Sequence, residues 1–447
     1  MMNIHIGLLS ELTHTRYVLH LSDGRRLVLF RLPSIETSGK SKAKNETSDG
    51  WSYYAMEAEC PHAGGPMQDA NVDIEDSAYI VSCPWHAYDF NVETGESSVG
   101  IKACTFPVDV QGEYVKLQYP SNGCSVGLGK MEPVSENVKL KTGRAVTASE
   151  QASHASRPET ARYLDASATL SDWCAHILHT SNPEHKIELT THLFTTFTSR
   201  EGSSSPMPIV GTSPVSLPST PPREKLMTVN PRDMPSSGRG GNLKSRIAML
   251  HALANIELWA IDLAIDICVR FAEFQTLPTS RDCPRQLPRT YFHDWLKVAN
   301  DEAKHFSLLR TRLEEMGSYF GALPVHHGLW ESATTTAHDL RARISIIALV
   351  HEARGLDVNP MTIAKFRNAR DMESVEVLEV IHNDEITHVT TGHRWLTWIC
   401  QEEETDPVQV FRSNVKKYFK GGLKEPFNRD ARALAGMDGR YYENMVH

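Results

Sequence analysis

Ten side chains in this chain have the types and spacing to hold metal, and they fall into two sets. The first is Cys60-Pro61-His62 followed by Cys83-Pro84-Trp85-His86. Two thiolates and two imidazoles from two tight loops suit a [2Fe-2S] cluster, with cysteines on one iron and histidines on the other. Gly64, Gly65 and Pro66 suit a turn that bends backbone N–H groups toward the cluster sulfides. The second set is Glu257, Glu302-Ala303-Lys304-His305, Glu352 and Glu385-Ile386-Thr387-His388. Single glutamates alternating with Glu-x-x-His pairs are the ligand pattern of a carboxylate-bridged dimetal centre between four helices. An i, i+3 spacing puts each Glu and His one turn apart on one helix face.

Zinc is the competing occupant of the Cys/His set, but zinc fingers and knuckles use other spacings. A single Glu-x-x-His is usually a surface coincidence. Two of them, with two matched glutamates in alternating order and apolar neighbours such as Ile256, Leu258, Leu349, Val350 and Ile386, are not read as a solvated face. Six ionisable groups turned inward are costly unless they bind metal. Iron, or iron with manganese, suits mixed carboxylate and imidazole ligation. Asp301 and Asp384 each precede a ligand histidine by four residues and are expected to orient the imidazoles, on their own or the facing helix. His351, His382 and His393 lie close by and are read as packing histidines. Arg354 could anchor a carboxylate, and a structural role is as good a reading.

The elements that would present these residues follow from the patterning. Residues 1–120 carry short β-rich runs, such as Val18–Leu21 and Leu27–Phe30 split by Ser22-Asp23-Gly24, and are read as a small β domain. Residues 121–162 lose apolar density and are read as a flexible linker. The rest, 163–447, is read as helical. A short helix is expected at 170–178, a long irregular excursion at 199–241, and four long helices near 244–274, 290–316, 331–356 and 372–402. Gly355 and Pro360 are expected to end the third of these.

The 447 residues carry a formal net charge of −9 with both signs plentiful, which argues against a large nucleic-acid footprint. No apolar run approaches a membrane span, and the start lacks the pattern of a secretory signal, so a cytoplasmic location is expected. Of the eight cysteines, Cys104, Cys124, Cys174, Cys268, Cys283 and Cys400 are read as reduced thiols.

The first quarter resembles the Rieske ferredoxins, through Cys60-Pro-His62-x-Gly64, Cys83-Pro-Trp-His86 and Phe90-x-x-x-Thr94-Gly95. Gly65 and Trp85 stand where the respiratory-complex type carries extra cysteines, so the likeness is to the ferredoxin and oxygenase branch. From about Leu170 onward the chain resembles a ferritin-like family of bacteria and fungi that has no agreed substrate. The matching segments include His251–Ala264, Asp301–Phe306, His351–Asp357 and Asp384–Val389. Together the resemblances imply a multidomain protein, an all-β Rieske domain followed by an all-α ferritin-like four-helix bundle. They imply an oxygen-dependent di-iron oxidoreductase: a hydroxylase, desaturase or oxidase of an unidentified small molecule, with O2 as co-substrate. Electrons would come from an external NAD(P)H-dependent reductase or ferredoxin through the chain's own cluster, within one chain or across a homodimer. The same architecture serves tRNA hydroxylases, which keeps tRNA among the admissible substrates. The alternatives are a ferroxidase-like protein that handles iron or peroxide, and a non-enzymatic redox relay or sensor. A Rieske oxygenase with one mononuclear iron is rejected, because the second half supplies paired Glu-x-x-His helices instead.

Overall fold

The computed structural model describes residues 2–35, 44–62, 64–75, 78–84, 88–98, 100–120, 125–135, 163–165, 167–199, 215–224, 226–234, 240–277, 284–419 and 422–445. The chain divides into two compact units, Met1–Val138 and Lys139–His447.

The first unit is built of β-strands: β1 (Met2–Leu8), β2 (Arg16–Leu21), β3 (Arg26–Pro33), β4 (Trp51–Glu57), β5 (Asn71–Glu75), β6 (Ala78–Ser82), β7 (Asp89–Asn91), β8 (Thr105–Phe106), β9 (Val108–Gln111), β10 (Tyr114–Tyr119) and β11 (Leu128–Pro133). They form three antiparallel sheets, ordered β1-β10-β9, β11-β2-β3-β4-β8 and β5-β6-β7. Alternating side chains of β2, β3 and β4 point to two different cores. Leu19, Leu27, Leu29 and Ala55 enter one, and Val28, Phe30 and Met56 enter the other. The second core also takes in Cys60 and Cys83.

Strand β11 lies inside the segment expected to be linker. Leu128 to Pro133 has few apolar residues because it is an edge strand: its pairing with β2 rests on main-chain hydrogen bonds, and its side chains stay half exposed. Of that segment, 121–124 and 136–162 lie outside the described residues.

The second unit is helical: α1 (Leu170–His179), α2 (Pro183–Ser199), α3 (Leu243–Arg270), α4 (Arg289–Glu315), α5 (Gly328–Thr334), α6 (Leu340–Arg343), α7 (Ala353–Asn368), α8 (Met372–Glu402), α9 (Pro407–Tyr418), α10 (Arg429–Leu434) and α11 (Gly439–Tyr442). A π-helical segment, Ile344–Glu352, joins α6 to α7 without a break. Four long rods result. Helix α3 packs along α4, α8 packs along the π segment and α7, and α4 meets α8. Asp371 fixes one end of this arrangement: its carboxylate caps α8 at Ser374 N and pairs with Arg246 of α3 and Arg312 of α4, both at 2.8 Å. Gly392 permits a close approach of α8 to the π segment, since a Cβ there would stand 2.5 Å from the Ala348 Cβ.

The third rod runs past the breakers that were expected to stop it. Pro360 has no N–H to give Leu356 O, but the Asn428 side chain donates to that carbonyl at 3.1 Å. The chain therefore stays helical to Asn368. The excursion expected at 199–241 carries a 3-10 turn, Pro231–Asp233, and an isolated bridge from Thr228 to Val325 among its described residues.

Candidate metal centre

Each of the four rods brings its predicted carboxylate inward. Glu257 comes from α3, Glu302 and His305 from α4, Glu352 from the end of the π segment, and Glu385 and His388 from α8. Glu302 and His305 are fully buried, and Glu257, Glu385 and His388 are at most 5 % exposed. The six residues form two overlapping groups. Glu257, Glu302, His305 and Glu385 can offer ligand atoms within 4.8 Å of one another, and so can Glu302, Glu352, Glu385 and His388.

Glu302 and Glu385 belong to both groups. One Glu302 oxygen lies 3.2 Å from His305 Nδ1 and the other 3.0 Å from His388 Nδ1. Glu385 divides its oxygens the same way, at 3.8 Å and 3.5 Å. Each of these carboxylates thus faces both histidines, whereas Glu257 and Glu352 each belong to one group only. The two groups thus have two shared and two unshared carboxylates.

Each imidazole has an aspartate of the facing helix behind it, hydrogen-bonded to His305 and looser at His388. His305 Nε2 lies 2.9 Å from Asp384 on α8, and His388 Nε2 lies 3.5 Å from Asp301 on α4. The expected orienting role of the aspartates is geometrically available, and it runs to the facing helix in both cases. With Nε2–H turned to an aspartate, the Nδ1 lone pair is left toward the glutamates. Lys304 joins the two aspartates, at 2.5 Å from Asp384 and 3.4 Å from Asp301, and Lys297 reaches Asp301 at 3.4 Å. The spacing Asp301-x-x-Lys304 was the available signal for this lysine, which sequence reasoning passed over.

The electrostatics are those of a site short of positive charge. Burial, and then the Glu302 carboxylate, push Glu257 well above the usual carboxylate range. Burial, with Glu385 and Glu302, does the same to Glu352. Burial also works against charge on Asp384, but Lys304 and the His305 contact outweigh it and hold that carboxyl down. Several inner atoms make no well-formed hydrogen bond among the described residues: Glu302 Oε1, Glu385 Oε2 and both nitrogens of His388, whose contacts to Glu302 and Asp301 are close but poorly aligned. Buried polar atoms left over in this way fit cation ligation.

A cavity of about 20 Å³ touches Glu352 and His388 and is otherwise walled by Ala260, Leu263, Ala264, Trp295 and Ile347 among others. That is room for one or two atoms beyond hydrogen. Arg343, Ile347, Ala348 and Glu352 reach it together because the π segment widens the helical turn. No sequence pattern announced that segment. His351, His382 and His393 are in neither ligand group. Arg354 donates to the carbonyls of Lys424 and Pro426, at 2.6 Å and 3.1 Å.

In the β unit, Cys60 follows β4 and Cys83 follows β6, each 3 % exposed. Gly65 O accepts from Cys60 N, and Cys60 O from Gly64 N, both at 2.8 Å, which closes the first loop; Gly64 takes φ +75°, where a Cβ is strained. Cys83 N donates to Tyr88 O at 2.8 Å in the second loop. The Tyr88 ring stacks on the exposed His62 ring with centroids 4.1 Å apart, which draws the loops together. Trp85 and His86 lie outside the described residues, as do Cys124 and Cys283. Cys104, Cys174, Cys268 and Cys400 are free thiols.

Residues 47–110 match the family described as soluble Rieske-type ferredoxin, and residues 179–443 match the family described as protein of unknown function DUF455. An uncharacterized protein of Haemophilus influenzae is 35% identical over 215 residues, 48% of this chain and 72% of that one. A Rieske domain-containing protein of Homo sapiens is 39% identical over 44 residues, 10% of this chain and 28% of that one. Among solved structures, the ferredoxin of Sphingomonas yanoikuyae B1 aligns with 27% of this chain and 100% of its own, at 15% identity and a TM-score of 0.19. A Rieske-type domain implies a [2Fe-2S] cluster and electron transfer. None of the described helices is long and apolar enough to cross a membrane. The chain belongs to the DUF455 family and carries a soluble Rieske-type ferredoxin domain ahead of the family's helical region.

Proposed function

We propose that the helical unit is a ferritin-like four-helix bundle holding two metal ions, iron or iron with manganese, and that the chain is an oxygen-dependent oxidoreductase. Glu302 and Glu385 would bridge the ions. Glu257 with His305 would complete one position, and Glu352 with His388 the other. The observation that carries this reading is that two ligand groups, buried at every member but the half-buried Glu352, share those two glutamates. Four carboxylates balance the four charges of two divalent ions, so a loaded centre is close to neutral where burial is deepest. When bound, such a pair supplies the redox chemistry that activates dioxygen for hydroxylation, desaturation or oxidation of a small organic molecule.

The chain's own residues set the conditions. Asp384 holds His305 with Nδ1 toward the centre, and Asp301, now 3.5 Å from His388 Nε2, would do the same for His388 in the loaded site. Lys304 keeps both aspartates charged, so that they remain hydrogen-bond acceptors. Ala260, Leu263, Ala264 and Ile347 give the small cavity beside Glu352 an apolar wall, with space matched to a diatomic gas. Cys60, His62, Cys83 and His86 would carry the cluster through which an external NAD(P)H-dependent reductase or ferredoxin delivers single electrons.

The test is anaerobic Fe²⁺ titration of a Cys60→Ser/Cys83→Ser variant, followed by oxygen uptake measured on the intact, reconstituted chain. About two Fe²⁺ bound by the variant is expected. Uptake by the intact chain should depend on an electron donor and stop when free Fe²⁺ is its only reductant. Uptake sustained by free Fe²⁺ alone would make the protein a ferroxidase instead.

A further inference from the structure

The helical unit contains a second cavity, of about 160 Å³, that shares none of the six inward ligands. It lies between the stretch Val350–Asp357 and the chain after α9. Val350, Phe419, Leu423 and Phe427 make its walls apolar. Its charged lining is Arg354, Lys424 and Arg432 against Asp357 alone. Cation therefore exceeds anion inside a mostly hydrophobic enclosure, a combination that favours a ligand with one negative charge and a compact apolar body.

Arg432 is the informative residue. It is 2 % exposed. Its Nε and Nη2 hold the two oxygens of Asp357 at 2.8 Å and 2.7 Å, and its plane is flanked by the Phe427 and Tyr442 rings. Its third nitrogen, Nη1, finds no acceptor among the described residues. A buried guanidinium N–H without a partner is costly, and an anionic oxygen would satisfy it. The other cations stand differently. Arg354 has its Nη1 committed to the carbonyls of Lys424 and Pro426, and Lys424 is exposed and free to swing over the opening.

We propose that this cavity is a binding site for a small carboxylate with a benzene-sized apolar body. The volume suits such a body, since a cavity of about 150 Å³ takes one benzene ring. The buried Nη1 of Arg432 would turn slightly toward the cavity for one carboxylate oxygen to accept from it, with Lys424 neutralising the remaining charge, and the ring would rest among Val350, Phe419, Leu423 and Phe427. The doubly charged phosphate ion fits poorly, because Asp357 already occupies one edge of the most deeply buried cation of the lining and much of the remaining wall is apolar.

The probe is benzoate, titrated calorimetrically into the full chain. Neither metal nor dioxygen enters the measurement, so its result is independent of the proposed redox activity. Saturable binding of one benzoate per chain is expected, at least tenfold tighter than benzamide and not displaced by inorganic phosphate. Lys424→Glu, at an exposed position, should weaken it about tenfold. In crystals soaked with 4-bromobenzoate, the bromine should lie between Phe419 and Phe427. Absence of saturation, equal affinity for benzamide, displacement by phosphate, or bromine located elsewhere would overturn the proposal.

Discussion

His305 on α4 is gripped by Asp384 on α8, Nε2 to Oδ2 at 2.9 Å, and the reciprocal pair His388–Asp301 runs the other way at 3.5 Å. The same two helices thus exchange supports as well as sharing the central space. Replacing Asp384 with Asn keeps the shape but removes the charge that orients the ring. We expect Asp384→Asn to weaken Fe²⁺ or Co²⁺ binding by about 10- to 100-fold while thermal unfolding stays cooperative. Metal titration of the purified variant reads this directly; unchanged affinity would mean that the aspartate only packs.

The third rod should depend on a residue far along the chain. Asn428 donates to Leu356 O, the carbonyl stranded by Pro360, and its Oδ1 also caps α10 at Ala431 N. Asn428→Ala is expected to cost about 1–2 kcal/mol in urea unfolding. Adding Pro360→Ala should recover part of that loss by giving the helix back its own N–H. Additive losses in the double variant would refute the pairing.

Much of the helical unit was legible because its chemistry is periodic. Glu302/His305 and Glu385/His388 needed only the i, i+3 rule, and the helices that carry them follow from apolar recurrence. What was not legible depends on distant contacts. The π segment differs from an α-helix by one residue of hydrogen-bond register, to which Ile344–Val350 gives no local clue. The continuation past Pro360 rests on Asn428, 68 positions later in the numbering. Strand β11 is short and polar because it is an edge, which in sequence looks the same as linker. Which glutamates are shared between the two ligand groups is likewise a matter of three-dimensional placement, since all four look alike in the sequence.

Helix contact should be intolerant at Gly392. A Cβ there meets Ala348 Cβ at 2.5 Å, and Ala348 lines the cavity beside Glu352. Gly392→Val should destabilise the protein by about 1–3 kcal/mol through overpacking. Combining it with Ala348→Gly should relieve part of the strain. Chemical denaturation of the two singles and the double measures the coupling, and none is expected if the helices simply move apart.

Acid should weaken the protein through His251. Its buried Nε2 accepts from Gly321 N at 2.9 Å, and burial lowers its pKa to about 4 from the ordinary 6.5. The unfolded chain binds this proton first, so the stability that His251 contributes is complete above about pH 6.5 and is lost as pH falls toward 4. Urea midpoints at pH 7 and pH 5 should differ less for His251→Phe than for the unaltered protein. An equal difference in both would remove His251 from the acid response.

The central claim is that two metals sit among Glu257, Glu302, His305, Glu352, Glu385 and His388, apart from the cluster in the β unit. Iron and acid-labile sulfide counted after anaerobic reconstitution, with Mössbauer spectra to separate the two kinds of iron, test it most directly. About four irons and two sulfides per chain are expected, falling to about two and two in Glu302→Gln. Two irons and two sulfides in the unaltered chain, with no spectrum beyond that of the cluster, would contradict it.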